Sequence, residues 1–306
     1  MVEADSLPLL VIVGPTASGK SSLAIEVARR LIADGCKAEI VNADSMLVYR
    51  GMDIGTAKPS RAELQEIPHH LVDIMEVTQT ATVADFQAMA RQIIDALRSR
   101  QVVPILVGGS SLYIRAIIDD FDFPGTEPVV RQRWQEECDR IGSVALHARL
   151  REINPDAADA ILPGNARRVV RALEVIELTG TFQPRLPRPR YALAHVHQFG
   201  LRLERAEMDR RIDARVGAMW RQGLVAEVRG LVDKGLRQGL TASRGLGYHQ
   251  VLGHLAGEYD QEVARTLTAD GTRRLARKQL GWFKRDHRIT WLSADDENNA
   301  GFIADL

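Results

Sequence analysis

Two patterns of apolar positions alternate along the first third of the chain. Leu9-Leu10-Val11-Ile12-Val13 is a continuous apolar run, as a parallel strand buried on both faces requires. Over residues 22–33 the apolar Leu23, Val27, Leu31 and Ile32 recur at helical spacing. The alternation continues, with strands predicted over 38–42, 71–74 and 102–107. Between the last two lies a helix over 83–98, with Val83, Phe86, Met89, Ile93, Ile94 and Leu97 on one face and Thr82-x-x-Asp85 at its start. This order predicts an α/β fold, a parallel sheet flanked by helices, with ligands at the carboxyl ends of the strands.

From about Phe121 the pattern changes. The breaker cluster Phe123-Pro124-Gly125-Thr126-Glu127-Pro128 precedes four predicted helices, over 129–141, 143–151, 155–161 and 167–178, with no strand between them. A second breaker stretch follows over 180–189, and the Pro- and Arg-rich residues 183–190 read as an exposed, extended connector. Strand and helix patterns then return: a strand over 197–203, a helix over 208–235 and a last strand over 288–292. The expected organisation is a core in two parts, 1–124 and 191–306, interrupted by a small all-helical domain at 125–190.

Composition narrows the class without naming a partner. The 306 residues are 45% hydrophobic and 26% charged with a formal net charge of +0, so any surface for a polyanion must be local. The apolar run near the N-terminus is too short to span a membrane and follows Glu3 and Asp5 rather than a basic flank. A cytoplasmic protein with no membrane partner is expected, with a monomer as the default. Cys36 and Cys138 have neither metal-site nor disulfide spacing.

The first strand runs into Gly14-Pro15-Thr16-Ala17-Ser18-Gly19-Lys20-Ser21, a complete G-x-x-x-x-G-K-[ST] loop followed by a helix. Its glycines permit a tight turn that aims consecutive N–H groups and a helix N-terminus at one anion. Lys20 adds a positive charge, and Ser21 offers a hydroxyl to a Mg²⁺ shared with bound phosphates. Asp44, at the end of the second strand, belongs to the same sheet edge. Spacing leaves three roles open to it: metal support, capping of the turn through Ser45, or a general base beside the phosphates. Arg215, four residues after Arg211, reads on spacing alone as a solvated helix charge. Arg273, Arg274, Arg277, Lys278, Lys284, Arg285 and Arg288 make a locally basic late segment suited to RNA phosphates, or a solvated helix face. Trp282 and Phe283 beside it are expected to anchor the core, and His69 and His70, which lack metal-ligand spacing, are expected to be structural or to line the substrate site.

Further motifs carry a resemblance. Asp44-Ser-x-x-Val-Tyr-Arg-Gly-Met-Asp-Ile-Gly-Thr-Ala-Lys-Pro59, Pro68-His69-His70-Leu71, Gly108-Gly109-Ser110-Ser111-Leu112-Tyr113, Arg168-x-x-Arg171-Ala172-Leu173-Glu174-Val175, Gly245-Leu246-Gly247-Tyr248 and the run Thr272 to Gln279 follow the P-loop in order. Together they resemble the tRNA dimethylallyltransferases, the bacterial isopentenyl-tRNA transferases, over nearly the whole chain. The resemblance implies a P-loop NTPase-like core and transfer of a dimethylallyl group from dimethylallyl diphosphate to N6 of adenosine 37, beside the anticodon of tRNA. It implies Asp44 as general base, Thr16 and Arg215 at the departing diphosphate, Gly14, Pro15, Thr16, Ala17, Ser18, Gly19, Lys20 and Ser21 as the diphosphate cradle, and Mg²⁺ at Ser21. For the anticodon stem-loop it implies contacts from Asp44, Ser45, Met46, Leu47, Ser110, Arg131, Asn165, Ala166, Arg167, Arg168, Val169 and Arg244. Thr272, Arg273, Arg274, Leu275, Ala276, Arg277, Lys278 and Gln279 complete that set. Two positions depart from the family pattern: Leu47 stands where many relatives carry Gln, and one of Ser110 and Ser111 stands where Thr or Gly is common. A small-molecule or nucleotide kinase, a nucleotide-regulated binding protein and a prenyltransferase acting on free adenine nucleotides are the other readings of the P-loop. The helical insertion and the basic late helix favour tRNA among them.

Overall fold

The computed structural model describes residues 7–120, 123–184 and 186–306. Glu3, Asp5, the composition change at Phe121 and Arg185 of the connector lie outside the described residues. The chain divides into two compact units, Met1–Asp120 with Tyr191–Leu306, and Phe121–Arg190.

The first unit runs β1 (Leu9–Val13), α1 (Lys20–Ala33), β2 (Ala38–Asn42), α2 (Arg61–Glu66), β3 (His69–His70), α3 (Val83–Ser99), β4 (Val103–Gly108) and α4 (Ser111–Ile118). In the second unit follow α5 (Pro128–Ile141), α6 (Ser143–Ile153), α7 (Pro155–Ala160) and α8 (Ala166–Thr179). The chain then completes the first unit with β5 (Val196–Arg202), α9 (Arg205–Arg221), α10 (Leu224–Asp233), α11 (Tyr248–Leu255), α12 (Gln261–Phe283), β6 (Ile289–Ser293) and α13 (Asn299–Ala304).

The six strands form one parallel sheet in the order β3-β2-β4-β1-β5-β6. β1 is apolar at every position because helices cover both faces. Leu9, Val11 and Val13 pack on one side with Ile94, Leu97 and Ile114, and Leu10 and Ile12 on the other with Ala24, Val27 and Ile303. Parallel strands all end on one side, and there β1, β2 and β4 deliver Gly14, Ala43 and Gly109. Gly108 allows this edge to close up, since a Cβ on it would lie 2.6 Å from the Ala43 carbonyl oxygen.

Two sequence-based expectations are corrected. Residues 71–74 are not a strand: Leu71 and Asp73 have φ of 60° and 54°, and the parallel pairing with β2 stops at His70. The Leu71 carbonyl instead accepts a hydrogen bond from the Asn42 side chain at 2.9 Å. The helix expected over 208–235 is two helices, α9 and α10, broken where Gly223 adopts φ 98°. Left-handed backbone suits glycine and ends a right-handed helix.

The second unit has a core of its own, built from Leu146, Leu150, Ala157, Ile161, Val170 and Leu173. Glu174 is fully buried there and meets Arg131 at 3.1 Å and Arg171 at 2.9 Å. Within the first unit, the chain entering and leaving the insertion is tied together: Asp119 bridges Tyr191 in antiparallel fashion and Ala192 N–H donates to the Ile118 carbonyl at 2.8 Å. Arg288 secures the place, reaching Asp119 at 2.6 Å and Asp286 at 2.6 Å while lying 4.1 Å over the Tyr191 ring. Its expected place in an RNA-facing basic segment is therefore corrected; its charge is spent on two buried carboxylates.

Candidate active site

A cleft at the carboxyl edge of the sheet is lined by Thr16, Lys20 and Ser21 of the P-loop, Asn42, Asp44 and Leu47 from the end of β2, Thr56, His69 and Arg215. The loop owes its shape to its small residues. Ala17 and Gly19 have φ of 64° and 89°, and a Cβ on Gly14 would lie 2.7 Å from the Ser18 hydroxyl. Gly19 caps α1 without a side-chain bond, so the first N–H groups of the helix stay open toward the cleft. Lys20 Nζ turns back over the loop to the Pro15 carbonyl at 3.4 Å.

The charges here are unbalanced toward positive. Burial pushes the Lys20 ammonium down to about 8; Asp44 opposes that shift and Arg215 adds to it. Burial also lowers Arg215, again against the pull of Asp44. Two desolvated cations thus share one carboxylate, and a bound anion would relieve both.

Asp44 is held by its own turn. Its N–H donates to the Asn42 side-chain oxygen at 2.7 Å, and its Oδ1 accepts from Met46 N–H at 2.9 Å. Asn42 closes the arrangement by donating to the Asp44 carbonyl at 2.9 Å. Capping of the turn thus occupies Oδ1, and Oδ2 remains for the cleft. Arg215 is not a solvated charge. Its neighbour Arg211 pairs with Glu207 and Asp295, whereas Arg215 donates to the Thr56 carbonyl at 3.1 Å.

The late helix α12 joins this site from one side only. Gln279 accepts from Thr16 N–H at 2.9 Å, and its amide nitrogen lies 2.7 Å from where a Cβ on Gly109 would stand. Its side chain is therefore committed to the P-loop. Thr272 and Ala276 are buried, and Arg273 pairs with Asp213 and Asp270. Arg274, Leu275, Arg277 and Lys278 are exposed. Phe283 anchors in the core, but Trp282, expected to do the same, is 44% exposed with the Arg285 guanidinium 4.8 Å over its ring.

The remaining candidates divide similarly. Ser45, Met46 and Leu47 belong to the Asp44 turn, Ser110 precedes α4, and Arg244 is exposed in the short helical turn Ala242–Arg244. In the second unit Asn165 caps α8 by accepting from Arg168 N–H, Arg167 and Arg168 are exposed with Arg168 donating to the Pro184 carbonyl, and Ala166 is half-buried. Val169 is buried and Arg131 faces Glu174, so these two side chains serve the unit's interior. Asn42 was not expected in the site, whereas His69, expected to be structural or to line the substrate site, does line the cleft. A polar residue ending an apolar strand was the available signal for Asn42. His69 Nδ1 lies 2.7 Å from the Ile67 carbonyl, and burial lowers its pKa, so a neutral ring lines the cleft.

The family model described as IPP transferase matches residues 47–286. The chain belongs to the IPP transferase family. Among the relatives, a tRNA dimethylallyltransferase of Cutibacterium acnes is 53% identical over 94% of this chain and 91% of its own length. One of Kineococcus radiotolerans is 55% identical over 95% and 92%. The crystal structure of the full-length tRNA isopentenylpyrophosphate transferase of Bacillus halodurans is similar over 98% of this chain and 95% of that one, with a TM-score of 0.71 and 36% identity. A eukaryotic dimethylallyltransferase captured acting on tRNA shares the fold, with a TM-score of 0.77 at 24% identity. The family model begins after the P-loop and Asp44, so the geometry of these two rests on the structure itself.

Proposed function

We propose that this protein is a tRNA-modifying prenyltransferase, which moves the dimethylallyl group of dimethylallyl diphosphate onto N6 of adenosine 37 in tRNA and releases diphosphate. Membership of the IPP transferase family supports the reaction class, and relatives more than half identical bear that activity as their name. The observation that carries the assignment of roles is the meeting of Lys20, Arg215 and Asp44 at one P-loop cleft.

The chemistry follows from those three groups. The N6 nitrogen attacks C1 of the allylic chain as the C1–O bond breaks, and the electron pair of that bond leaves with diphosphate. Lys20, Arg215 and the N–H groups at the start of α1 meet the developing negative charge, which desolvated and fixed donors do better than water. Asp44 Oδ2 accepts the proton that N6 loses. A Mg²⁺ ion would lower the charge on the leaving diphosphate. The residues suit such an ion: the Ser21 hydroxyl lines the cleft, and Mg²⁺ takes few protein oxygens when it shares phosphates and waters with them. The base must leave its stack to reach so recessed a site, which single-stranded anticodon loops allow.

Incubation with unmodified tRNA, Mg²⁺ and radiolabelled dimethylallyl diphosphate tests this, beside an ATP-only control. Label in the RNA is the expected result. Phosphate transfer from ATP to a small acceptor, with unlabelled RNA, would replace the proposal by kinase chemistry.

A further inference from the structure

The Asp53–Thr56 segment lies between Met52, which is fully buried, and Lys58, whose ammonium is held by the Tyr49 carbonyl at 3.0 Å, Asp53 at 2.6 Å and Asp73 at 2.5 Å. It forms a single helical turn closed by left-handed Ala57 (φ 51°): Ala57 N–H donates to the Ile54 carbonyl and Lys58 N–H to the Asp53 carbonyl, the pair of bonds that ends a helix. Such a turn leaves its opening N–H groups aligned and without internal partners. Here one side chain takes all three. Glu227 of α10 accepts from Asp53 and Ile54 N–H through Oε2, at 3.2 and 2.8 Å, and from Gly55 N–H through Oε1 at 3.3 Å. Its Oε1 also accepts from the Tyr248 hydroxyl at 2.6 Å.

Every partner in this arrangement is constrained to stay. Tyr248 is 1% exposed, and burial together with the Glu227 carboxylate raises its pKa, so the phenol remains a donor. Gly55 lies close against Tyr248, where a Cβ would approach the ring to 2.4 Å. Directly after this clamped turn, the Thr56 carbonyl receives the Arg215 guanidinium. Arg215 therefore donates to a carbonyl that directly follows the three N–H groups held by Glu227.

We propose that Glu227, resting on the prenyl-transfer reading above, is a positioning residue of that reaction: it fixes the Asp53–Thr56 turn so that the Thr56 carbonyl holds Arg215 toward the departing diphosphate. Glu227 touches neither substrate, so its contribution passes through Arg215. Removing a clamp of this kind shifts the guanidinium relative to the reacting bond, and a displacement of about 1 Å can lower turnover on the order of 10²-fold.

The test uses Glu227→Gln, which keeps the size of the side chain but turns an N–H₂ toward a backbone N–H, with Tyr248→Phe as a second, milder variant. Prenyl transfer by the wild-type protein is measured first; absence of product there defeats the functional reading and this inference with it. With an active wild type, E227Q is expected to lower kcat by about 10- to 100-fold, with the KM for tRNA within about 2-fold. Y248F is expected to fall in the same direction by less. The deciding arm is Arg215→Ala. In that background E227Q should cost less than about 2-fold, because residues that act as a unit are not additive. Amide exchange at residues 53–55 should quicken in E227Q. Unchanged kcat in both variants, equal loss in the R215A background, or a loss confined to tRNA affinity each overturns the assignment.

Discussion

One oxygen of the Asp44 carboxylate is committed to its own turn. Because Oδ1 holds the turn by accepting from Met46 N–H and the residue also lines the cleft, the turn and the proposed role as base can be separated by substitution. Asp44→Asn keeps an oxygen for the turn but removes the base, so single-turnover prenyl transfer should fall about 10²- to 10⁴-fold while the melting temperature stays near that of the wild type. Asp44→Ala should lose the same activity and, in addition, about 1 kcal/mol of stability in a denaturant titration. Retained turnover in Asp44→Asn would remove Asp44 from proton transfer. Lys20 gives a second expectation. Its free-enzyme pKa of about 8 means that it loses charge as pH rises through that value, and a bound diphosphate would raise the pKa again. The kcat/KM for the prenyl donor should therefore be level below about pH 8 and decline above it, while kcat stays flatter. A donor kcat/KM that is level to pH 9.5 would contradict the assignment. At this scale the sequence was legible where a residue's role lies in its own turn. The P-loop and Asp44 could be read because strand, glycine and charge follow one another directly. Glu227 could not, because its three backbone partners lie more than 170 positions away and nothing in α10 marks it apart from other helix carboxylates.

Helix α12 is two-faced in a manner that a count of its basic residues does not reveal. Its inward side packs Ala269 and Ala276 against Ile212 and Val216 of α9 and sends Gln279 to the P-loop. Its outward side bears Arg274, Arg277 and Lys278, whereas Arg273 is neutralised by Asp213 and Asp270. The two faces predict separable defects. Arg274→Glu with Lys278→Glu should raise the KM for tRNA and flatten its dependence on salt, as loss of phosphate contacts does. Gln279→Ala should lower kcat or donor kcat/KM with little effect on tRNA affinity, since its contact is with Thr16. A rise confined to the tRNA KM in Gln279→Ala would instead make that residue an RNA contact. Charge along the sequence announced the helix, but pairing across 60 positions decided which charges remain available. The same limit applies to Trp282: its apolar character suggested the core, and the Arg285 guanidinium over its ring accounts for its exposure.

At the scale of the molecule, the two units have separate cores. Leu150, fully buried in the helical unit, has no counterpart role in the α/β unit, so Leu150→Ala should destabilise the helical unit by about 2–5 kcal/mol. Calorimetry should show that transition lowered, and titration with inorganic diphosphate should show binding unchanged. Loss of diphosphate binding alongside would mean that the units fold as one. The alternation of strands and helices and the breaker clusters made this division legible, while the break at Gly223 and the left-handed residues after β3 were hidden because they depend on backbone conformation rather than on hydrophobic spacing. The tie between Ile118 and Ala192 has a consequence for the covalent path. With Asp119 and Tyr191 already paired, the α/β unit's chain stops and resumes at a single point. Each doubling of a loop closed there costs only about 0.6 kcal/mol in closure entropy. Because the two ends of the insertion are already joined inside the α/β unit, this is the position at which shortening the chain to a few glycines asks least of the covalent path through the sheet.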